Sequence, residues 1–371
     1  MDKKVLNAKL DLVIDKLMHL DAQGAEQAKN ASNEERKKGM FARDFGIKEW
    51  DWPQGVGLYG LLQLQASRGN RDYDAFLLQW VKDNLAIGLP SVNINTTAPF
   101  LTLFDLTERY ELPEWEALCR ERADYLVHTL PKTQMGGFEH VTSGLVRSEV
   151  MRHPEQLWAD TLFMAVLFLG KMGVRCGNQE WIDEAVYQYL LHIKYLADNR
   201  TGFLYHGWTF LEHSNFGGIF WNRGNSWFTY GAVAFLKAME GHIGEADRRM
   251  ILGAWKNQVD ALVKAQDPCG LWHTILTDPD SYLETSGSGA ITAGMLAGIR
   301  FGYLDESYLP AAKKAVEALL DYVGDDGMVG NVSAGTGIGM DAQHYKDIMI
   351  RPMAYGQSLT ALALTEALYL A

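Results

Sequence analysis

Three cysteines, Cys119, Cys176 and Cys269, are too few and too scattered over 371 residues for a disulfide framework or a zinc site, and they read as reduced thiols. Positive charge is scarce as well. With 34 Lys and Arg against 46 Asp and Glu, the formal net charge of -12 argues against nucleic acid and anionic membrane as partners, because both demand clustered cations. An acidic sugar would have to be met at a locally basic spot. The N-terminal VLNAKLDLVIDKLMHL (5 to 20) is broken by Lys and Asp, so it is neither the apolar core of a signal peptide nor a membrane span, and the expected location is the cytoplasm. No GxGxxG stands between a strand and a helix, and there is no P-loop or HExxH. GTGIG (335 to 339) follows no apolar strand and reads as a rim loop, while the serines of TSGSG lack the GxSxG elbow. Nothing calls for a metal or a cofactor. No linker rich in Pro, Gly or Ser divides the chain, so residues 1 to 371 are expected to form one domain.

What the chain does have is a rhythm of helices. Apolar residues make up 47%, and six segments rich in small and aromatic residues open nearly uncharged helices: 52 to 64, 95 to 106, 156 to 169, 223 to 239, 285 to 299 and 355 to 370. A helix apolar all round is a buried helix. Between them lie amphipathic helices, as in PEWEALCRERADYLVHTL and SYLPAAKKAVEALLDYV, and with residues 3 to 20 these also number six. Six inner and six outer helices are what a closed ring of helical hairpins requires. The polar stretch after residue 20 reads as loop or as a frayed extension of the first helix. Gly-aromatic turns follow outer helices at GGFEH (136 to 140), TGFLYHGW (201 to 208), CGLWHT (269 to 274) and, more weakly, DDGMVG (325 to 330), which predicts short strand pairs at one rim.

Asp160 stands out because it sits inside QLWADTLFMAVLFL, a run with no other charge. Read as helix, this run puts Asp160 on one face with Leu157 and Met164. A carboxylate there is either satisfied by a cap or a distant Arg, or it is a group held ready for chemistry. The rim before the inner helices gathers further unusual residues: Trp52 and Gln54, Asn95 and Thr96, Trp158, Trp221, Arg223, Asn225 and Trp227, Ser286 and Ser288, then Tyr355 and Gln357. Aromatic platforms mixed with a few hydrogen-bonding groups suit a carbohydrate, whose faces are apolar and whose edges are hydroxyls. A Trp taken singly is more often core than binding surface, and it is the recurrence at corresponding repeat positions that favours the binding reading. His206 in YHGW is either a rim histidine satisfied by backbone or a sugar contact. Arg223 either holds a carboxylate or hydroxyls, or is the structural partner of Asp160 or another buried acid.

In order, QLWADTLFM, TGFLYHGW, FWNRGNSW, GLWHTILTD with LETSGSG, and RPMAYGQS resemble the unsaturated rhamnogalacturonyl hydrolases, glycoside hydrolase family 105. That resemblance covers the chain from about Trp52 onward and implies an all-α fold, an (α/α)6 barrel of six hairpins with short β-hairpins at one rim. It implies that Asp160 is the general acid and base. The implied substrate is a lyase-generated oligosaccharide with a 4,5-unsaturated uronic acid at its non-reducing end. A protonated Asp160 would pass its proton to C4 and water would add at C5. Such an acid needs a raised pKa, which the apolar surroundings are expected to supply by desolvation. Some members carry a second aspartate where this chain has Asn95, which has no basic oxygen and is left with positioning. His206 and Arg223 resemble the family's substrate contacts. Beside this stand an unsaturated glucuronyl hydrolase acting on glycosaminoglycan or ulvan fragments, a barrel-fold sugar 2-epimerase needing paired His bases, and a sugar-binding barrel without catalysis. The leaving sugar and the oligomeric state stay open.

Overall fold

The computed structural model describes residues 2–370. Each outer helix is followed by the inner helix of the same hairpin. The first two hairpins are α1 (Lys3–Met18) with α2 (Trp52–Arg68), and α3 (Asp74–Ile87) with α4 (Phe100–Arg109). Then come α5 (Pro113–His128) with α6 (Leu167–Cys176), and α7 (Gln179–Leu196) with α8 (Asn222–Ala238). The last two are α9 (Glu245–Ala265) with α10 (Thr285–Arg300), and α11 (Leu309–Asp321) with α12 (Ala354–Tyr369). This is the six-hairpin α/α barrel.

The inner helices are buried because nothing on them needs water. Every residue of α10 from Thr285 to Gly298 and of α12 from Ala354 to Ala367 is buried. Small residues let these helices approach to backbone contact: a Cβ on Gly289 would lie 2.8 Å from Leu359 in α12, and one on Gly294 would lie 2.6 Å from the Thr229 carbonyl in α8. Side-chain hydrogen bonds close the ring. Ser358 donates to the Val56 carbonyl of α2 at 2.6 Å, and Gln357 donates to the Val13 carbonyl of α1 at 3.1 Å. One buried apolar cluster extends from Leu6 to Ala367.

The rim at the N-terminal ends of the inner helices carries the β-structure. β1 (Thr142–Ser143) pairs with β2 (Val150–Met151), and β3 (Gln156–Trp158) pairs with β4 (Gly207–Thr209). At the four Gly-aromatic turns the expected strand pairs shrink to single bridges, Lys132 with Phe138, Ala197 with Leu204, His273 with Leu283 and Val323 with Val329. Each turn places a glycine at positive φ: Gly136 (76°), Gly202 (88°), Gly270 (108°) and Gly327 (80°). The backbone of each turn rests on the outer helix of the next hairpin. A Cβ on Gly202 would meet the Asn257 carbonyl of α9 at 2.6 Å, and one on Gly270 the Lys314 carbonyl of α11 at 2.6 Å. Gly327 lies against the Leu12 backbone of α1, and Gly136 faces Tyr187 of α7.

Two segments differ from the sequence reading. Residues 156–158 are strand, not the first turn of a helix, so Leu157 does not share a helical face with Asp160. The polar stretch after residue 20 holds two short helices, Ala25–Lys29 and Asn33–Lys37, the second started by a capping box between Ser32 and Glu35. Among the described residues no helix is long and apolar enough to cross a membrane.

Candidate active site

Asp160 is brought to the rim by a change of backbone conformation. The β3–β4 ladder runs through Trp158 opposite Gly207, the Ala159 N–H donates to the His206 carbonyl at 2.9 Å, and the helix begins at Asp160 itself. Its first turns widen into a π-helical segment, Leu162–Val166, before α6 follows. Starting a helix gives the carboxylate the favourable end of the backbone dipole and aims it at the barrel mouth.

There it meets a cavity with about 610 Å³ of open space. Trp52, Asn95, Trp158, Asp160, Trp221 and Arg223 contribute from the starts of the inner helices. Arg43 and Asp44 line it from the segment before α2, His140, Met151 and His153 from the rim around β1 and β2, and Gly335 to Gly337 from the loop before α12. Asp160 Oδ2, Asp44 Oδ1, Arg43 Nε, Trp221 Nε1 and Arg223 Nε are buried without a hydrogen-bond partner in the protein. Native structures leave few such atoms, so a cluster of donors and acceptors on one cavity marks a place for a polar ligand.

His206 stands behind Asp160, with Nε2 3.2 Å from Oδ2. The approach is short but bent, and it leaves both atoms without a well-formed hydrogen bond, a common state of catalytic contacts before substrate arrives. Burial pushes the Asp160 carboxyl up, but the contact with His206 outweighs it and holds the group below its ordinary value. The expectation of a raised resting pKa is therefore corrected. The apolar surroundings are present, yet a histidine invisible in the local sequence faces the acid.

His140 lies flat on Trp158 with ring centroids 4.3 Å apart, and its Nδ1 is 2.8 Å from Thr161 Oγ1. Burial pushes His140 down to about 3 and His153 down to about 4, so both are neutral polar rings at physiological pH. The Arg223 guanidinium lies over Trp221 at 4.5 Å and Tyr355 at 4.9 Å. Its two Nη atoms donate to the carbonyls of Ser333 at 2.8 Å and Ala334 at 2.7 Å, with Glu284 3.8 Å away. Arg223 thus holds the cavity loop, its acidic neighbour is Glu284 instead of Asp160, and its Nε is buried without a partner in the protein.

A second charged group closes the cavity. Arg43 Nε is 3.4 Å from Asp51 and 3.6 Å from Asp44, and its Nη1 donates to the Gly144 carbonyl of the β1–β2 hairpin at 2.6 Å. Burial pushes Asp44 up to about 7, opposed by Arg43 and Arg223 and reinforced by Asp51.

The sequence profile described as Glycosyl Hydrolase Family 88 matches residues 26–371. The chain belongs to glycosyl hydrolase family 88. Among its relatives, the "Unsaturated rhamnogalacturonyl hydrolase YesR" of Bacillus subtilis is 34% identical over 332 residues, covering 89% of this chain and 92% of that protein. A crystal structure of a possible member of the GH105 family from Klebsiella pneumoniae superposes with a TM-score of 0.90 at 33% identity, covering 100% of this chain and 94% of that one. The unsaturated glucuronyl hydrolase of Bacillus sp. GL1 shares the fold, with a TM-score of 0.68 at 18% identity over 96% of each chain.

The family 88 barrel brings together only part of the rim set chosen from its sequence. Gln54, Thr96, Trp227 and Ser288 are fully buried and do not line the cavity. Gln54 donates to the carbonyls of Arg43 and Gly46, and Thr96 to that of Ser91. Ser288 accepts from the Trp272 N–H, and Trp227 packs between Trp52 and Phe163. Asn225 likewise clamps the backbone of Leu204 from both sides. His206 contacts Asp160 from behind instead of lining the cavity wall. Arg43, Asp44, His140, Met151, His153 and the 335–337 loop were not in the set. For His140 a signal existed, since GGFEH echoes the turn that carries His206.

Proposed function

We propose that this chain is an unsaturated rhamnogalacturonyl hydrolase, a catalytic barrel that removes the 4,5-unsaturated uronic acid from the non-reducing end of lyase-generated oligosaccharides. The observation that carries the reading is Asp160, a lone carboxylate at the start of an inner helix, which lines a cavity walled by Trp52, Trp158 and Trp221 and is backed by His206 at 3.2 Å. Supporting it is the printed activity of the Bacillus subtilis relative, which matches over most of both chains.

The substrate is an anion, and Arg43 and Arg223 supply the locally basic spot that an acidic chain otherwise lacks. Asp160 rests ionised. When the uronate carboxylate enters the same water-poor cavity, repulsion between like charges raises the carboxyl and it takes up a proton. That proton goes to C4 of the enol ether as the double-bond electrons form the C–H bond. Water adds its oxygen to the positive C5 and returns a proton to the Asp160 carboxylate, so the acid is regenerated. Opening of the C5 hemiketal and collapse of the hemiacetal left at C1 then release the leaving sugar. Asn95, facing the cavity with an amide, positions water or substrate and takes no proton.

The test is loss of ultraviolet absorbance from the unsaturated ring, followed with lyase-digested rhamnogalacturonan and separately with digests of glucuronate-rich polymers. A fall with the first digest is expected. A fall with the second alone moves the assignment to a glucuronyl hydrolase, and no fall with either overturns it.

A further inference from the structure

Tyr345 lies in the one-turn helix Ala342–Lys346, is buried, does not line the cavity and belongs to no motif picked from the sequence. Its hydroxyl is 2.9 Å from His206 Nδ1 and 3.1 Å from the Gly339 backbone nitrogen. A backbone N–H can only donate, so the hydroxyl accepts from Gly339, and with no other polar partner for it among the described residues its own proton is left for Nδ1. A ring nitrogen that accepts carries no proton. The single proton of a neutral His206 is then on Nε2, the nitrogen 3.2 Å from Asp160 Oδ2. Trp221, tilted against the ring at 4.4 Å, and Trp158 at 5.5 Å wedge His206 against a flip that would exchange the two nitrogens.

We propose that Tyr345 is a positioning residue: it fixes the tautomer of His206 so that an N–H donor always faces Asp160, and it ties that donor to the cavity loop through Gly339. This rests on the reading of Asp160 as the acid. Burial drives the Tyr345 hydroxyl well above its ordinary range, which keeps it a donor at any working pH. The adjacent His344 braces the same loop, with Nε2 2.8 Å from Thr336 Oγ1 and 3.2 Å from the Gly337 carbonyl. The short helix therefore grips the cavity wall with one ring and the acid's partner with the next. The titratable and charged groups around Asp160 are His206, His140 from the segment before β1, His153 from the segment after β2, Arg223 from α8, and Arg43 and Asp44 lining the same cavity. Of these, His206 is the one that Tyr345 hydrogen-bonds.

Tyr345→Phe keeps the ring and removes the donor. Freed from it, His206 populates the tautomer whose Nε2 lone pair confronts Asp160, so the carboxylate loses stabilisation and its pKa rises. The expected result is a fall in kcat of about tenfold, the scale of one hydrogen bond. With it, the alkaline limb of the kcat/KM profile moves up by about one pH unit, because each unit corresponds to a similar energy. The same fall in kcat with an unmoved limb would mean that Tyr345 only packs, and overturns the proposal. A nitrogen-15 histidine spectrum reads the tautomer without any turnover. Wild-type protein should show His206 protonated on Nε2, and protonation on Nδ1 overturns the proposal even if the variant fails to fold. Full turnover by Asp160→Asn would instead remove the hydrolase reading and leave the spectroscopic result standing.

Discussion

Replacing Asp160 by Asn keeps the shape of the side chain and removes its proton, so the protein should fold with turnover reduced by about 10²- to 10⁴-fold, the usual contribution of a general acid. Full activity in that variant removes Asp160 from the chemistry. Asp44 makes a different statement, about stability. Its folded pKa of about 7 lies above that of an exposed aspartate, so the native state holds a proton that the unfolded chain releases from about pH 4 upward. Stability from this group is complete in acid and is lost as pH rises through 7, by a few kcal/mol in all. Denaturant midpoints measured from pH 5 to 8 should therefore fall less for Asp44→Asn than for the wild type; parallel curves would show that Asp44 is ionised throughout. Asp160 was legible because a lone charge in an apolar run needs an explanation. Asp44 was not, because what makes it unusual is its burial in a cavity that also brings Arg223 to it from α8. Gln54 and Ser288 stand at the right rim, but sequence position does not say whether a side chain turns toward the cavity or back to cap its own backbone.

At the scale of the helix, small residues decide how closely the inner ring packs. Gly294→Ala puts a methyl group 2.6 Å from the Thr229 carbonyl and should cost about 1–3 kcal/mol, as overpacking does. Gly253→Ala, on the outer helix α9 with nothing within 4 Å of its Cβ, should instead stabilise by about 0.4–1 kcal/mol. Urea midpoints of the two variants should move in opposite directions, and a shared direction would contradict the packing argument. The inner helices were readable because burial on all sides leaves a composition of small and apolar residues that no surface helix needs. The start of the third inner helix was misplaced for the same reason: QLW is apolar enough for either a buried strand or a buried helix, and its pairing with Gly207–Thr209 comes from a later stretch of chain.

At the scale of the molecule, a net charge of -12 opposes an anionic substrate, while the cavity itself is lined by two cations, Arg43 and Arg223. Raising the salt concentration from low to physiological should screen the general repulsion and increase kcat/KM by up to a few-fold. A decrease would mean that attraction by Arg43 and Arg223 reaches beyond the mouth and steers the substrate in. The twelve-helix plan was visible from the alternation of two helix types, since each type reflects one environment in the ring. Its closure through Gln357 and Ser358 was not, because a hydrogen bond between the last helix and the first two leaves no local pattern.

The four glycine turns overlap like roof shingles along four of the six hairpins, each with its edge on the following one, and Gly327 laid over α1 carries the row across the seam of the ring. A side chain at Gly270 would lift its turn off α11, from which the chain runs directly into the turn of Gly327, so the disturbance would travel toward the seam where the ring is joined. The mouth that holds Asp160 is for this reason a collective property of the barrel: its shape is kept by turns far around the rim that never approach the substrate.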